Sequence, residues 1–378
     1  MKFCLDKSLF SSNKDLIIDS KSYYWSDTQA LYDLDIQGIN QFLSLYKIDE
    51  VSFLDKKYLK MINSLNIESP DWKNLLPTRV YVSYKRELQE KIKFLKDFFA
   101  NEKYSQFFSN GNSILNRLVP ANIDKKKLEY FIEQESNKNL RSILSSFSSI
   151  KDPVKYDRLK TVTGRLVVKS GPQFLLLPKE YKPIIKSYYG KNGVIAWVDF
   201  VSLEPRFAKL SVENTAPDDI YEDIILKNSF DFDRKTTKGL VLATIFGAGV
   251  NKLSEVAGKD AFIVQKAISK YFGFNQILEK AGDYNTGIIK NFFGRPIKLK
   301  KRAKNIAINN YIQSSSVDVA LIGFSNLKLP TSSRPLAVVH DALVIDLLKS
   351  DLPKLNDIIN KGIEIDGLGH FRLGVELL

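Results

Sequence analysis

Two short runs of strand-forming residues, separated by a long stretch of helical pattern, limit most strongly how this chain folds. Residues 194–198 form a β-branched and aromatic run followed directly by Asp199, and residues 336–339 form a second run followed by His340 and Asp341. A further apolar run comes after that polar pair, which predicts a β-hairpin with His340 and Asp341 at its tip. Strands on either side of a long helical segment predict an α+β fold with a separate helical lobe.

The two aspartates at the strand ends are candidate metal ligands. If the two strands are neighbours, Asp199 and Asp341 converge, and the repulsion between two adjacent carboxylates is relieved by divalent cations. Two metal ions about 3.5–4 Å apart can activate an attacking oxygen and stabilise a leaving one in phosphoryl transfer. Each aspartate taken alone is more simply read as an ordinary turn or cap residue, so the pair matters only together with the other motif residues.

Composition narrows the class of protein. The 378 residues include 56 Lys and Arg against 43 Asp and Glu, a net charge of +13, which favours an anionic partner, with nucleic acid first and an acidic membrane second. Cys4 is the one cysteine and the two histidines are His340 and His370, which excludes an internal disulfide and a Cys-rich zinc site. Any metal would be a hard cation held by carboxylates, such as Mg²⁺ or Mn²⁺.

The chain shows no signal-peptide core at its N-terminus and no apolar run of about 18 residues. We therefore expect no membrane association and a cytoplasmic location, in a bacterial cell or a phage-infected host.

The residues after Asp199 predict a strand, a tight turn and a helix. Pro205 suits the first position of a helix, and Glu204 before it would lie near the positive end of the helix dipole. Glu204 is thus either a carboxylate presented at the turn for function or a simple helix-start residue.

A later helix carries a ridge of residues spaced by four, Arg234, Lys238, Leu242 and Phe246, and is expected to end near Gly247. Two cations followed by an apolar and an aromatic side chain match a nucleotide in outline, with the cations at the triphosphate. The alternative is an ordinary amphipathic helix with a cationic start.

Basic residues also cluster elsewhere. Residues 84–150 begin with a helical pattern of apolar residues, and lysine and arginine side chains lie between them. Residues 295–304 hold six cations in ten positions. Either segment could contact phosphates or form a solvated surface.

Together these residues resemble the three polymerase motifs of family A DNA polymerases, in the family's order. The motif residues are Asp199 with Glu204-Pro205-Arg206, then Arg234 and Lys238 with Phe246-Gly247, then Val339-His340-Asp341. Three flanking segments also resemble the family: residues 161–166 (its Thr-Gly-Arg segment), residues 293–295 (its Gly-Arg segment) and a helix with Asn309, Gln313 and Asp318. The resemblance covers about residues 160–378.

The resemblance implies a right-hand polymerase architecture, with an antiparallel palm sheet, helical fingers and a helical thumb. On this basis residues 1–83 are an N-terminal segment of unknown role, 84–160 a thumb-like helical region, 161–215 the first part of the palm, 216–300 the fingers and 301–378 the second part of the palm. Too few residues precede the thumb-like region for a proofreading domain, so we expect no 3′→5′ exonuclease in this chain.

The resemblance also implies a catalytic centre. Asp199, Asp341 and the backbone carbonyl of Phe200 would hold two Mg²⁺ ions, with Mn²⁺ as the alternative. Lys238 would donate a proton to the departing pyrophosphate.

The remaining motif residues would bind the substrates, which are primer–template DNA and dNTPs. The nucleotide contacts would come from Arg234, Lys238, Leu242, Phe246 and Glu204, the last excluding ribonucleotides by crowding the sugar 2′ position. The DNA contacts would come from Arg165, Gln313, His340, Asn309 and Arg295, the first three in the minor groove.

Several residues depart from the family pattern and indicate a divergent branch, as in phages or mobile elements. Ala342 stands where the family usually has a glutamate, Leu242 where it has an aromatic residue and Phe246 where it has tyrosine. Pro205 replaces an aliphatic residue, and residues 314–316 are three serines.

The main hypothesis is therefore a template-directed DNA polymerase. The alternatives are a catalytically silent polymerase-like protein that holds primer–template, and a single-subunit RNA polymerase or primase, against which Glu204 argues. The sequence leaves open whether a separate exonuclease, helicase or clamp works with it.

Overall fold

The computed structural model describes residues 1–27, 30–148 and 151–378. The chain divides into two compact units, Met1–Asn112 and Ser113–Leu378. Helices and antiparallel strands are mixed along the chain, as the sequence predicted. Among the described residues, no helix is both long enough and apolar enough to cross a membrane.

The first unit combines a small sheet with helices. Its strands are β1 (Phe3–Leu5), β2 (Asp15–Ile18) and β3 (Tyr23–Ser26), antiparallel in the order β1-β2-β3. Its helices are α1 (Ile36–Leu45), α2 (Lys56–Leu65), α3 (Trp72–Leu75) and α4 (Thr78–Asn101), followed by α5 (Lys103–Leu115) at the division between the units.

Aromatic side chains fill the interior of the first unit. Phe42 of α1 stacks on Tyr104 with ring centroids 5.9 Å apart and meets Phe99 and Phe108 edge to face. Leu88, Leu95 and Phe99 of α4 are buried, which confirms the predicted amphipathic helix.

The second unit contains the elements that carry the candidate motifs. Its strands are β4 (Asn122–Ile123), β5 (Lys155–Asp157), β6 (Val167–Ser170), β7 (Ile185–Lys186), β8 (Gly193–Phe200), β9 (Ile288–Lys290), β10 (Pro296–Lys298), β11 (Arg334–Val339), β12 (Ala342–Leu348), β13 (Ile363–Ile365), β14 (Gly369–Phe371) and β15 (Leu373–Leu377). Its helices are α6 (Lys125–Gln134), α7 (Lys138–Ser145), α8 (Leu203–Glu213), α9 (Ile220–Asn228), α10 (Arg234–Ile245), α11 (Val250–Ala257), α12 (Ala261–Tyr271), α13 (Phe274–Ala281), α14 (Lys304–Asn326) and α15 (Leu352–Lys361).

A four-stranded antiparallel sheet in the order β11-β12-β8-β15 forms the centre of this unit. Both of its faces are covered, so β8 is apolar at nearly every position. On one face Trp197 belongs to a cluster with Phe147 and Phe174. On the other, Phe200 packs on Phe324 of α14 with ring centroids 5.1 Å apart.

The predicted hairpin is confirmed, since β11 and β12 pair antiparallel around His340 and Asp341. Two boundaries differ from the prediction. Strand β8 continues to Phe200 because β12 and β15 pair with it on both sides, so Asp199 lies within the strand. Helix α8 begins at Leu203, two residues before Pro205, because Ser202 takes a left-handed φ of 57° that turns the chain earlier.

Candidate active site

Strand pairing brings the two predicted metal ligands together. Asp199 on β8 lies opposite Ala342, the first residue of β12, and the Phe200 amide donates to the carbonyl oxygen of Asp341 at 3.1 Å. Asp199 is exposed although its strand is otherwise buried, and Asp341 is half-buried at the hairpin turn. The two aspartates therefore occupy neighbouring positions where the two central strands of the sheet, β8 and β12, meet the β11–β12 turn.

The surroundings of Asp199 and Asp341 disfavour the ionised form of both carboxyl groups. Partial burial, and then the charge of Asp341, raise the pKa of Asp199 above its ordinary value. Burial also raises the pKa of Asp341, and the nearby Glu204 raises it further, while His340 and Lys238 oppose the shift. Closely placed anions of this kind are stabilised by a bound cation.

These interactions show that residues from separate elements meet at the aspartates. Glu204 begins α8 and Lys238 lies on α10, yet both act on the charge of Asp341. Arg165 reaches the same place, since its Nη2 lies 3.5 Å from Oε1 of Glu204. Glu204, Lys238 and His340 therefore lie close enough to Asp341 to shift its pKa, and Arg165 contacts Glu204.

Gly374 leaves room for the Asp199 carboxylate. It pairs with Asp199 from β15, and a Cβ atom at this glycine would lie 3.0 Å from Oδ1 of Asp199. Sequence analysis missed Gly374, because only the register of β15 against β8 shows which glycine faces the carboxylate.

The donors at the paired aspartates fit a hard divalent ion. Two carboxylates and a backbone carbonyl are oxygen ligands, and Mg²⁺ commonly takes one or two protein carboxylates, with water and substrate phosphates filling its other positions. Among the described residues, no group of three or more His, Cys, Asp or Glu side chains could form a complete cage for a metal ion. The pair therefore suits an ion shared with a substrate.

The predicted nucleotide-binding helix is confirmed as a helix that begins at Arg234, with Phe246 and Gly247 just past its end. Arg234 is held by Asp219, with its Nε 2.7 Å from the carboxylate, and its guanidinium lies over the ring of Tyr221. Asp219 and Tyr221 were not found from the sequence, since nothing in a lone acidic or aromatic residue indicates this contact.

The far end of α10 is attached to α14. The Asn305 side chain donates to the Gly247 carbonyl at 3.2 Å, and that of Asn309 lies 3.5 Å from the Phe246 carbonyl. Phe246 remains exposed at 40%, and Leu242 is half-buried. Gln313 is half-buried one helical turn after Asn309.

Arg295 lies inside the protein and not on a DNA-facing surface. It is 1% exposed, and its Nη2 donates to the carbonyl oxygens of Arg158 and Thr161 at 3.3 Å. Gly164 has a φ of +78° and packs against the Arg295 guanidinium. Arg295 therefore supports the loop that carries Arg165, and the direct DNA contact expected of it does not fit this position.

A buried ion pair lies next to this loop. Arg158 Nη2 is 2.9 Å from Oδ1 of Asp318, both side chains are 3% exposed, and Asn291 donates to Oδ2 of Asp318 at 2.7 Å. This network joins the segment before residue 165, the β9–β10 turn and α14. Sequence analysis singled out Asp318 but not its partners, because burial is what distinguishes Arg158 from the chain's many surface cations.

The turn at His340 has an unusual backbone. His340 has a φ of 56°, in the left-handed region that non-glycine residues rarely adopt. We expect the free energy of unfolding of His340→Gly to exceed that of His340→Ala by about 1 kcal/mol. Glycine adopts the left-handed conformation freely, whereas a residue with a Cβ atom pays about 1–2 kcal/mol for it. Urea unfolding of the two variants measures the difference, and a more stable alanine variant would contradict the backbone assignment.

Comparison with known proteins supports the fold. No protein-family model matches this chain. The chain is similar in structure to the POL domain of Pol1 from M. smegmatis, which was solved in complex with DNA primer-template and dNTP. The TM-score is 0.52 at 13% sequence identity, and the similarity covers 100% of this chain and 94% of that one. The overall fold thus resembles that of a DNA polymerase domain, although few residues of the two sequences are identical.

Proposed function

We propose that this chain is a template-directed DNA polymerase that adds dNTPs to a primer 3′ end. The observation that carries the proposal is the placement of Asp341, in the β11–β12 turn, beside Asp199 on the neighbouring strand β8, with Glu204 and Lys238 acting on the charge of Asp341. The similarity to a polymerase domain that was solved with DNA and dNTP supports it.

Asp199, Asp341 and the carbonyl of Phe200 would hold two Mg²⁺ ions. Such ions, when bound, lower the pKa of the primer hydroxyl and stabilise the pyrophosphate leaving group. The raised pKa values of both aspartates fit this role, since a cation relieves the repulsion that burial and like charge create.

The residues around the aspartates would bind the incoming nucleotide. Lys238 would contact the triphosphate and donate a proton to pyrophosphate, and Arg234 would exchange the carboxylate of Asp219 for a phosphate. Leu242 and Phe246, further along the same ridge, would contact the sugar and base.

The DNA would lie across the end of the sheet that carries Asp199 and Asp341. Arg165, Gln313 and His340 would reach the minor groove, whose acceptors are nearly the same for every base pair and so report pair shape and not sequence. Asn309 would hold the end of α10 near the template. In this assignment residues 161–215 and 301–378, which include the four-stranded sheet, form the palm, residues 216–300 the fingers and residues 84–160 the thumb.

The enzyme would act in phage or mobile-element DNA replication. Extension of a primed template with Mg²⁺, comparing dNTPs with NTPs, tests the proposal. We expect template-dependent extension with dNTPs. No extension would favour a silent primer–template-binding protein, and preferential use of NTPs would favour an RNA polymerase or primase.

Glu204 should govern the choice of sugar. We expect Glu204→Ala to raise ribonucleotide incorporation relative to deoxyribonucleotide incorporation by about 10- to 100-fold, the range for sterically rejecting one small group. Single-nucleotide kcat/KM values with dNTP and NTP measure the ratio. Glu222→Ala, on α9, is the matched control, and an unchanged ratio in Glu204→Ala would exclude a sugar-selecting role.

A further inference from the structure

A polar cavity lies in the second unit, beside α8. It has a volume of about 500 Å³ and is formed by α8, the α8–α9 connection, α15 and the β14–β15 segment. Its polar lining residues are Arg206, Arg372, His370, Asn214, Thr215 and Asn360. Asp218 contributes an acidic side chain to the lining, so the wall carries two guanidinium groups against one carboxylate.

Arg206 is a buried cation without a carboxylate partner. It is 3% exposed, and its Nη2 donates to the backbone carbonyl of Asp218 at 2.9 Å. In the part of the chain that the structure describes, no carboxylate oxygen lies within 4.0 Å of its guanidinium. Buried arginines are almost always paired, because removing a charge from water costs several kcal/mol. Burial, and then the nearby Arg372, lower the pKa of Arg206.

Arg372 adds a second guanidinium at the same carbonyl. Its Nη1 donates to the Asp218 carbonyl at 3.1 Å and lies 3.4 Å from Oδ1 of the Asp218 carboxylate. The Asp218 side chain is 95% exposed, so water screens its charge and it compensates the two arginines weakly. Two close guanidinium groups with so little negative charge form a site suited to an added anion.

We propose that this cavity binds a small phosphate-bearing anion, with the phosphate between Arg206 and Arg372. Guanidinium groups present planar pairs of N–H donors that match phosphate oxygens. The volume lies within the range of about 300–1,000 Å³ typical of small-molecule pockets, and Leu210, Ile359 and Leu373 give one part of the wall an apolar surface. The ligand is therefore of a size up to a mononucleotide. The lining does not include Asp199, Asp341 or Arg234, and the proposal does not depend on polymerase activity.

Isothermal titration calorimetry of the full chain in EDTA tests the site. The titrants are inorganic phosphate, pyrophosphate, 5′-dAMP and deoxyadenosine. The buffer contains about 0.1 M chloride, which screens weak binding to surface charges. We expect saturable one-site binding of at least one phosphate compound and none of deoxyadenosine. Arg372→Gln should raise the dissociation constant at least about tenfold (1.4 kcal/mol). Arg372 is half-exposed, so this variant should keep the fold, whereas Arg206→Gln changes a buried side chain. Lys252→Gln, an exposed lysine on α11, is the charge-matched control and should bind as wild type does.

The same titration of the Arg234→Gln variant distinguishes this cavity from the proposed nucleotide site. The variant should still bind the phosphate compound. Tighter binding of 5′-dAMP than of phosphate would identify a nucleotide as the occupant, and equal binding would identify free phosphate. The proposal is overturned if no phosphate compound binds saturably, if Arg372→Gln binds like wild type, if deoxyadenosine binds as tightly as 5′-dAMP, or if binding is lost in Arg234→Gln.

Discussion

Asp199→Ala and Asp341→Ala are each expected to lower the rate of primer extension by at least about 10³-fold. Losing one carboxylate from a shared metal site removes several kcal/mol of transition-state stabilisation, and each 1.36 kcal/mol is tenfold in rate. The reason lies in the structure, because the pairing of β8 with β12 places Asp199 beside the turn that carries Asp341. Single-turnover extension of a primed template measures the loss.

The binding of primer–template should change little in these variants, since phosphate contacts from basic residues dominate such affinity. Asp357→Ala, an exposed aspartate on α15, is the matched control and should extend as wild type does. Retention of more than about a tenth of wild-type extension in either aspartate variant would remove the basis for two-metal catalysis.

Asp199 is needed for the proposed activity, but in the absence of metal its charge should lower the stability of the fold. Because the folded-state pKa of Asp199 is raised, its ionised form destabilises the folded state above that pKa, and the penalty disappears as the pH falls through it. In EDTA at pH 7, Asp199→Asn should therefore melt at a higher temperature than wild type, and the difference should shrink at acid pH. A variant that melts lower at pH 7 would show that the pair is not repulsive.

Asp318→Ala should cause the largest loss of stability, lowering the free energy of unfolding by about 3–5 kcal/mol. The substitution leaves the Arg158 guanidinium buried without its carboxylate and removes an acceptor from Asn291. Urea unfolding followed by circular dichroism gives the free energy. Primer extension should fall as well, because Arg158 accepts the hydrogen bond from Arg295 that supports the loop before Arg165.

Two comparisons make this result specific to the buried pair. Lys227→Ala breaks the exposed Lys227–Asp223 pair and should cost less than about 1 kcal/mol. The double change Arg158→Met with Asp318→Leu removes both charges and should recover much of the stability lost in Asp318→Ala, since no buried charge is then left alone. A loss below about 1 kcal/mol in Asp318→Ala would mean that the pair is solvated.

The sequence was informative where local pattern decides structure. The run, polar pair and run around Asp341 predicted the hairpin, and the spacing of Arg234, Lys238 and Phe246 predicted α10, because strand alternation and helix periodicity are local properties. The β8 boundary was misplaced because pairing with two neighbouring strands extends it to Phe200, and such pairing is a long-range property.

Contacts between distant segments could not be predicted. Arg295 appeared to be one cation of a surface cluster, yet the fold buries it against Thr161. Arg158, Asp219 and Gly374 carry no distinguishing local pattern, and their roles depend on partners more than ten residues away. Motif residues indicated the chemistry, whereas the residues that position them became visible only in three dimensions.

The most direct test of the central claim is to count the metal ions that the paired aspartates hold. Mn²⁺ can be titrated into the protein with primer–template and a non-hydrolysable dNTP, and followed by electron paramagnetic resonance. The account predicts two ions per chain, close enough for mutual broadening of their signals, and loss of that coupled pair in Asp199→Ala and in Asp341→Ala. Equal Mn²⁺ binding by wild type and by a variant that carries both Asp199→Ala and Asp341→Ala would contradict it.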